Sequence, residues 1–150
     1  MRASLFRLLR RATALLRPAT RRDVVVEYNP RSNGRPDPGE VVWAWVPYEE
    51  NASLGKDRPV LIVGRAGSEL IALMLTSKDH DARLEVDAAR GKRWMDVGAG
   101  GWDRDRRPSE VRLDRVLRLR AGAVRREGAA LDRARFDEVT EAARELHGWS

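Results

Sequence analysis

The chain contains no cysteine, which excludes a disulfide framework and any thiolate-bound metal. It has two histidines, His80 and His147, too far apart in sequence to suggest a histidine-rich metal centre. No apolar run reaches the roughly 18 residues that a bilayer-spanning helix needs, so stable membrane insertion is not expected. Lysine is almost missing: Lys56, Lys78 and Lys92 are the only ones, and arginine carries nearly all the positive charge. No acidic residue precedes Asp23. A chain without cysteine suits a reducing, cytoplasmic compartment.

What is present fits one compact domain. A length of 150 residues is ordinary for a single domain, and 42% hydrophobic residues can supply its core. The 35% of charged residues call for a well hydrated surface. The formal net charge is +6. Arginine's planar fork suits phosphate, and a basic surface attracts polyanions. Arginine-rich codon usage would scatter the same residues with no partner in view, so charge alone does not choose a ligand.

Residues 1–37 read as an amino-terminal extension and residues 38–150 as the domain. From Ser4 to Arg17, Leu5, Leu8, Leu9, Ala12, Leu15 and Leu16 share one helical face, with Arg7, Arg10, Arg11 and Arg17 opposite; Pro18 stops the helix. Such a basic amphipathic segment resembles a transit peptide or a membrane-surface helix. Docking of its leucine face on protein is the reading adopted. Asp23 to Tyr28 reads as a strand, followed by a turn-rich linker to Pro38.

Beyond Gly39 the pattern is mainly β. Val41–Val46 is apolar on both faces and calls for a second covering surface, which makes a homodimer the expectation. A polar loop from Tyr48 to Asp57 leads to two apolar strands, Arg58–Gly64 and Glu69–Thr76, joined by a short turn. Arg93–Val97 is a short strand, and Gly98-Ala99-Gly100-Gly101 a flexible turn. Glu110–Leu119 alternates, with Arg115 breaking its apolar face at a bend or bulge. A helix capped by Asp132 and stopped by Gly148 should bury Phe136, Val139, Ala143 and Leu146. Short strands plus a terminal helix fit a small barrel.

Three segments carry a family resemblance. They are Gly39-Glu40-Val41-Val42-Trp43 followed by a loop ending in Gly55-Lys56-Asp57-Arg58-Pro59; Leu73-Met74-Leu75-Thr76-Ser77; and Ser109-Glu110-Val111-Arg112-Leu113-Asp114-Arg115-Val116. In this order they resemble the MazF/PemK toxins, whose pattern runs "GEVVW", "G-x-x-RP", a strand closed by threonine or serine, and S-x-V-x-L-D-Q-I. The resemblance covers roughly residues 38 to 146. It implies an SH3-like barrel of about five to seven strands with a carboxy-terminal helix, here preceded by the amphipathic extension. It implies an endoribonuclease that cuts single-stranded RNA with neither metal nor cofactor, leaving a 2′,3′-cyclic phosphate and a 5′-hydroxyl. A homodimer with RNA along the subunit interface, and an antitoxin protein occupying the same groove, are implied as well. The family's functional arginine falls on Arg58 and its functional threonine on Thr76.

The chemistry fits those residue types. RNA supplies its own 2′-OH nucleophile, so the protein must align it and offset charge on the phosphoryl oxygens. Arg58 can give two parallel N–H bonds and the Thr76 hydroxyl one more. Arginine is a poor general base, because its pKa exceeds about 12. His80 is the group near the site that titrates near neutrality and is the third candidate. It would equally serve as a solvated loop residue, as Arg58 would as the partner of Asp57 or Glu49. RNA contacts are expected from Tyr48, Lys56, Ser77 and Lys78. Trp94 and Trp102, set among arginines, are candidates for stacking on bases, or for strand-end packing. Trp43 and Trp45 read as core or dimer contacts. Glu49, Glu50 and Asp57 would repel a phosphate backbone, which favours a second hypothesis: a non-catalytic barrel binding nucleic acid or a partner protein. A third is a membrane-associated protein using the Leu5–Leu16 face.

Overall fold

The computed structural model describes residues 24–77 and 89–149. The amphipathic segment, Lys78, Asp79 and His80 lie outside the described residues. Among the described residues the seven strands are β1 (Val25–Val26), β2 (Glu40–Pro47), β3 (Gly55–Ala66), β4 (Glu69–Thr76), β5 (Trp94–Gly98), β6 (Ser109–Leu119) and β7 (Val124–Ala130), and helix α1 (Arg133–His147) follows them. They form one sheet in the order β5-β6-β4-β3-β2-β7, with β1 added on β3, and every pairing is antiparallel. Among the described residues, no helix is long and apolar enough to cross a membrane.

The sheet buries both faces. On one side Val41, Leu61, Val63, Ile71, Leu73 and Leu75 pack with Phe136, Val139 and Ala143 of α1. On the other, Val42, Ala44, Val46, Val60, Ile62, Ala72 and Met74 form a second cluster with Leu117. Val41, Val42, Ala44 and Val46 are therefore covered within one chain, whereas Trp45 on the same strand stays 40% exposed. Their two-sided apolar pattern reflects two internal layers and does not by itself require a second subunit.

Several boundaries differ from the sequence reading. Strand β3 begins at Gly55, inside what reads as a polar loop, because Lys56, Asp57 and Arg58 pair with Val46, Trp45 and Ala44 on β2. Of the described part of the expected first strand, Val25 and Val26 pair with β3, and the Glu27 amide donates to the Val63 carbonyl at 3.2 Å. Strand β7 has no apolar alternation to announce it; it lies at the sheet edge and pairs only with β2. In α1, Asp132 accepts a hydrogen bond from the Arg135 amide, and Gly148 takes the left-handed conformation that closes the helix. The face at i, i+3, i+4 and i+7 buries Phe136, Val139, Thr140 and Ala143. Leu146 is not part of it. It is 45% exposed, and Trp149 fills the corresponding space after the chain turns at Gly148, stacking on His147 at 5.2 Å.

Two features shape the end of the sheet where the functional candidates lie. Strand β6 carries the bulge that Arg115 signals: Leu73 pairs with Val116 and Leu75 with Val111, so Arg112–Arg115 stand against Met74 alone. The loop after β5 then folds across this end. Trp102 lies against Gly100, where an added Cβ would meet the indole ring at 2.1 Å. Its carbonyl accepts from Trp43 Nε1 at 2.9 Å, and its own Nε1 donates to Ser109 Oγ at 3.1 Å.

Candidate active site

Local register brings Arg58 and Thr76 together. The β3–β4 ladder pairs Val60 with Met74, and continuing that register by two residues sets Arg58 across from Thr76. Pro59, which has no N–H, sits just outside that ladder. On the other edge Arg58 pairs with Ala44. Arg58 and Thr76 form the wall shared by two open clefts of about 210 and 180 Å³.

The larger cleft is lined by Tyr48 and Glu50 from the β2–β3 loop, Trp94 from β5, and Arg112 and Arg115 from the bulge. The smaller is lined by Lys56, Ser77, Trp43, Asp103 and Arg107. Four of the expected RNA contacts thus border the two clefts: Tyr48 and Trp94 on one side, Lys56 and Ser77 on the other. Lys78 and His80 lie outside the described residues. Trp102 does not belong with them. At 4% exposure, with its ring nitrogen bonded to Ser109, it is a core residue with no free face for a base.

Electrostatics separate the arginines into two kinds. Arg112 is buried and doubly paired: it bonds both oxygens of Glu49, and it meets Asp114 through Nε and through NH2 at 2.7 Å. Its guanidinium carbon also lies 5.9 Å from the centre of the Trp94 ring. Burial opposes the Arg112 charge, but hydrogen bonds to Asp114 and Glu49 outweigh it and push the group above the usual arginine value. The bond to Arg112 in turn holds the Glu49 carboxyl below its ordinary range. The loop carboxylate expected to repel phosphate is therefore largely neutralised from below. Asp57 faces Arg125 at 3.7 Å.

Arg58 is the other kind. Its guanidinium makes no ion pair or hydrogen bond with a described residue, so neither Asp57 nor Glu49 is its partner. Burial pulls its guanidinium below the ordinary value; Tyr48 opposes that, Arg115 adds to it, and Glu50 opposes it. The group stays protonated, since a guanidinium keeps its proton in proteins. A half-desolvated cation bonded directly to no described carboxylate is arranged to meet an anion, and low local polarity strengthens that contact.

Sequence reasoning did not pick out Arg112, Arg115 or the Asp103–Arg107 pair, whose Nε–Oδ2 distance is 2.9 Å. The break of alternation at Arg115 was the available signal. It marked a bulge, and the bulge is what turns these side chains into the cleft.

A family model described as PemK-like, MazF-like toxin of type II toxin–antitoxin system matches residues 37–147. No curated protein sequence matches the chain significantly. Among solved structures, MazE–MazF (Form III) from Deinococcus radiodurans is similar in fold, with a TM-score of 0.52 and 20% identity, covering 77% of this chain and 98% of that one. The Mycobacterium tuberculosis toxin MazF-mt6 gives a TM-score of 0.46 and 16% identity over 74% of this chain and 98% of its own. With the family pattern spanning most of its length, and with the strands and terminal helix that pattern implies, the chain belongs to the PemK/MazF-like toxins of type II toxin–antitoxin systems.

Proposed function

We propose that this protein is an endoribonuclease toxin that cleaves single-stranded RNA without metal, by attack of the ribose 2′-OH on the adjacent phosphorus. The observation that carries the reading is the meeting of Arg58 and Thr76 on the wall shared by two clefts, with Arg58 bonded to no described carboxylate. The O2′–P bond forms as the P–O5′ bond breaks. The 2′-OH gives up its proton and the leaving O5′ takes one, so the products are a 2′,3′-cyclic phosphate and a 5′-hydroxyl. Arg58 donates to the phosphoryl oxygens that gain charge, and Thr76 adds a further donor. Open clefts on both sides of this pair suit a strand that passes through the site.

The working unit in this reading is a cytoplasmic homodimer whose partner in the resting cell is an antitoxin protein. The joint structure of MazF with MazE in the similar fold supports a protein partner of that kind. His80 is the candidate base. If it acts so, the rate rises with pH through its titration and His80→Ala flattens the profile.

The test is cleavage of a long single-stranded RNA in EDTA, with the ends mapped. Cleavage ending in cyclic phosphate is expected, and a 2′-deoxy substitution at the cut site should abolish it. Arg58→Ala should lose at least about a hundredfold in rate, the scale for removal of one oxyanion donor. Strict dependence on a divalent metal, or wild-type cleavage by a folded Arg58→Ala variant, sinks the reading. Binding of RNA without cleavage would favour the non-catalytic barrel instead.

A further inference from the structure

The larger cleft has more positive charge aimed into it than Arg58 supplies. Arg115 reaches it from the β6 bulge, and its guanidinium is anchored at one corner: NH2 donates to the Pro47 carbonyl at 2.7 Å, and NH1 lies 3.9 Å from the Met74 sulfur. A guanidinium carries five N–H donors, so these contacts leave donors over. No described carboxylate forms an ion pair with Arg115. Glu49 and Asp114 are both taken by Arg112. Arg115 is close enough to Arg58 for its charge to disfavour the Arg58 cation. Two like charges lining one cleft of about 210 Å³ repel until an anion lies between them.

We propose that Arg115 is a second phosphate-binding arginine, holding the same RNA phosphate as Arg58 from the opposite side of the cleft. This rests on the endoribonuclease reading. Pro47 fixes the guanidinium before the substrate arrives, and Arg112 keeps Glu49 from competing for it; Glu50, the other carboxylate lining the cleft, forms no ion pair with Arg115 among the described residues. The phosphate therefore meets two preset forks, one on β3 and one on the bulge of β6.

The experiment compares wild type with Arg115→Gln, the residue that the family's late-strand pattern has at this place; the glutamine amide can still donate to Pro47. The readouts are cleavage of single-stranded RNA and the salt dependence of binding to the same RNA made uncleavable by a 2′-deoxy at the cut site. The expected result is a kcat/KM at least about tenfold lower and a binding slope, log K against log salt, shallower by about 0.7 for the lost phosphate contact. In an Arg58→Ala background the same substitution should cost less, since both groups serve one phosphate. A folded Arg115→Gln variant with wild-type kcat/KM and salt slope overturns the proposal. If that variant melts well below wild type, Arg115→Lys takes its place, keeping the charge but not the fork. An unchanged slope with kcat/KM down about tenfold then supports the proposal, and wild-type kcat/KM overturns it. Wild-type protein that neither binds nor cleaves the RNA removes the endoribonuclease reading, and this inference with it.

Discussion

Arg58 shows how much a single position can be asked to do. Its backbone lies between Ala44 and the end of β4, and its side chain is half-buried without a described acidic partner. A lysine there would keep the charge but not the two-point geometry, and it would lose its proton more readily in a desolvated setting. Arg58→Lys should therefore leave RNA binding nearly intact while kcat falls by at least about tenfold, as single-turnover cleavage would reveal. Arg58 and Thr76 were legible in the sequence, because both lie in short motifs whose order survives. For Trp102 the sequence left base stacking and strand-end packing open, and the structure has it packed. Its burial depends on contacts with Trp43 and Ser109, and sequence spacing cannot supply them.

At the scale of elements, the β6 bulge sets the chemistry of the cleft. Arg112 ties the bulge to the β2–β3 loop through Glu49, and Asp114 holds the start of β5 by accepting from the Arg93 amide at 2.7 Å. Burial works against the Asp114 charge, yet Arg112 and that amide overcome it and keep the carboxyl below its ordinary value. In Asp103 burial is likewise overcome, by the Asp105 amide and Arg107. Groups lowered in this way stabilise the fold above the unfolded carboxyl value of about 4, and the benefit fades as pH drops through their folded values. Arg112→Met should cost about 3–5 kcal/mol at neutral pH, because it leaves Asp114 without its buried partner. Stability should also fall less steeply with acid than in wild type, because the pairing that acid removes is already gone; urea titrations at several pH values would measure both. The apolar strands β2, β3, β4 and β6 could be read from sequence because burial demands alternation or continuous apolar runs. Strand β7 could not: as an edge strand it carries Arg125, Arg126 and Glu127 where a core strand would be apolar.

At the scale of the molecule, two cores share one sheet, and the terminal helix is fastened directly to the end that carries the clefts. The Leu113 peptide is the point of attachment. Its N–H donates to the Arg93 carbonyl at 2.8 Å, and its own carbonyl accepts from His147 Nε2 at 2.7 Å. That one residue lies between Arg112 and Asp114. The last turn of α1 and the wall of the cleft are therefore not independent units of opening. Fraying of the helix end frees the Leu113 carbonyl, and the segment carrying both bulge arginines loses a tether. His147→Ala should raise the solvent-exchange rate of the Leu113 amide along with those of the final helical turn, which hydrogen–deuterium exchange would resolve residue by residue; exchange confined to the helix would argue against the linkage. The last helical turn is then a latch on the wall of the cleft, and whatever loosens the one is expected to loosen the other.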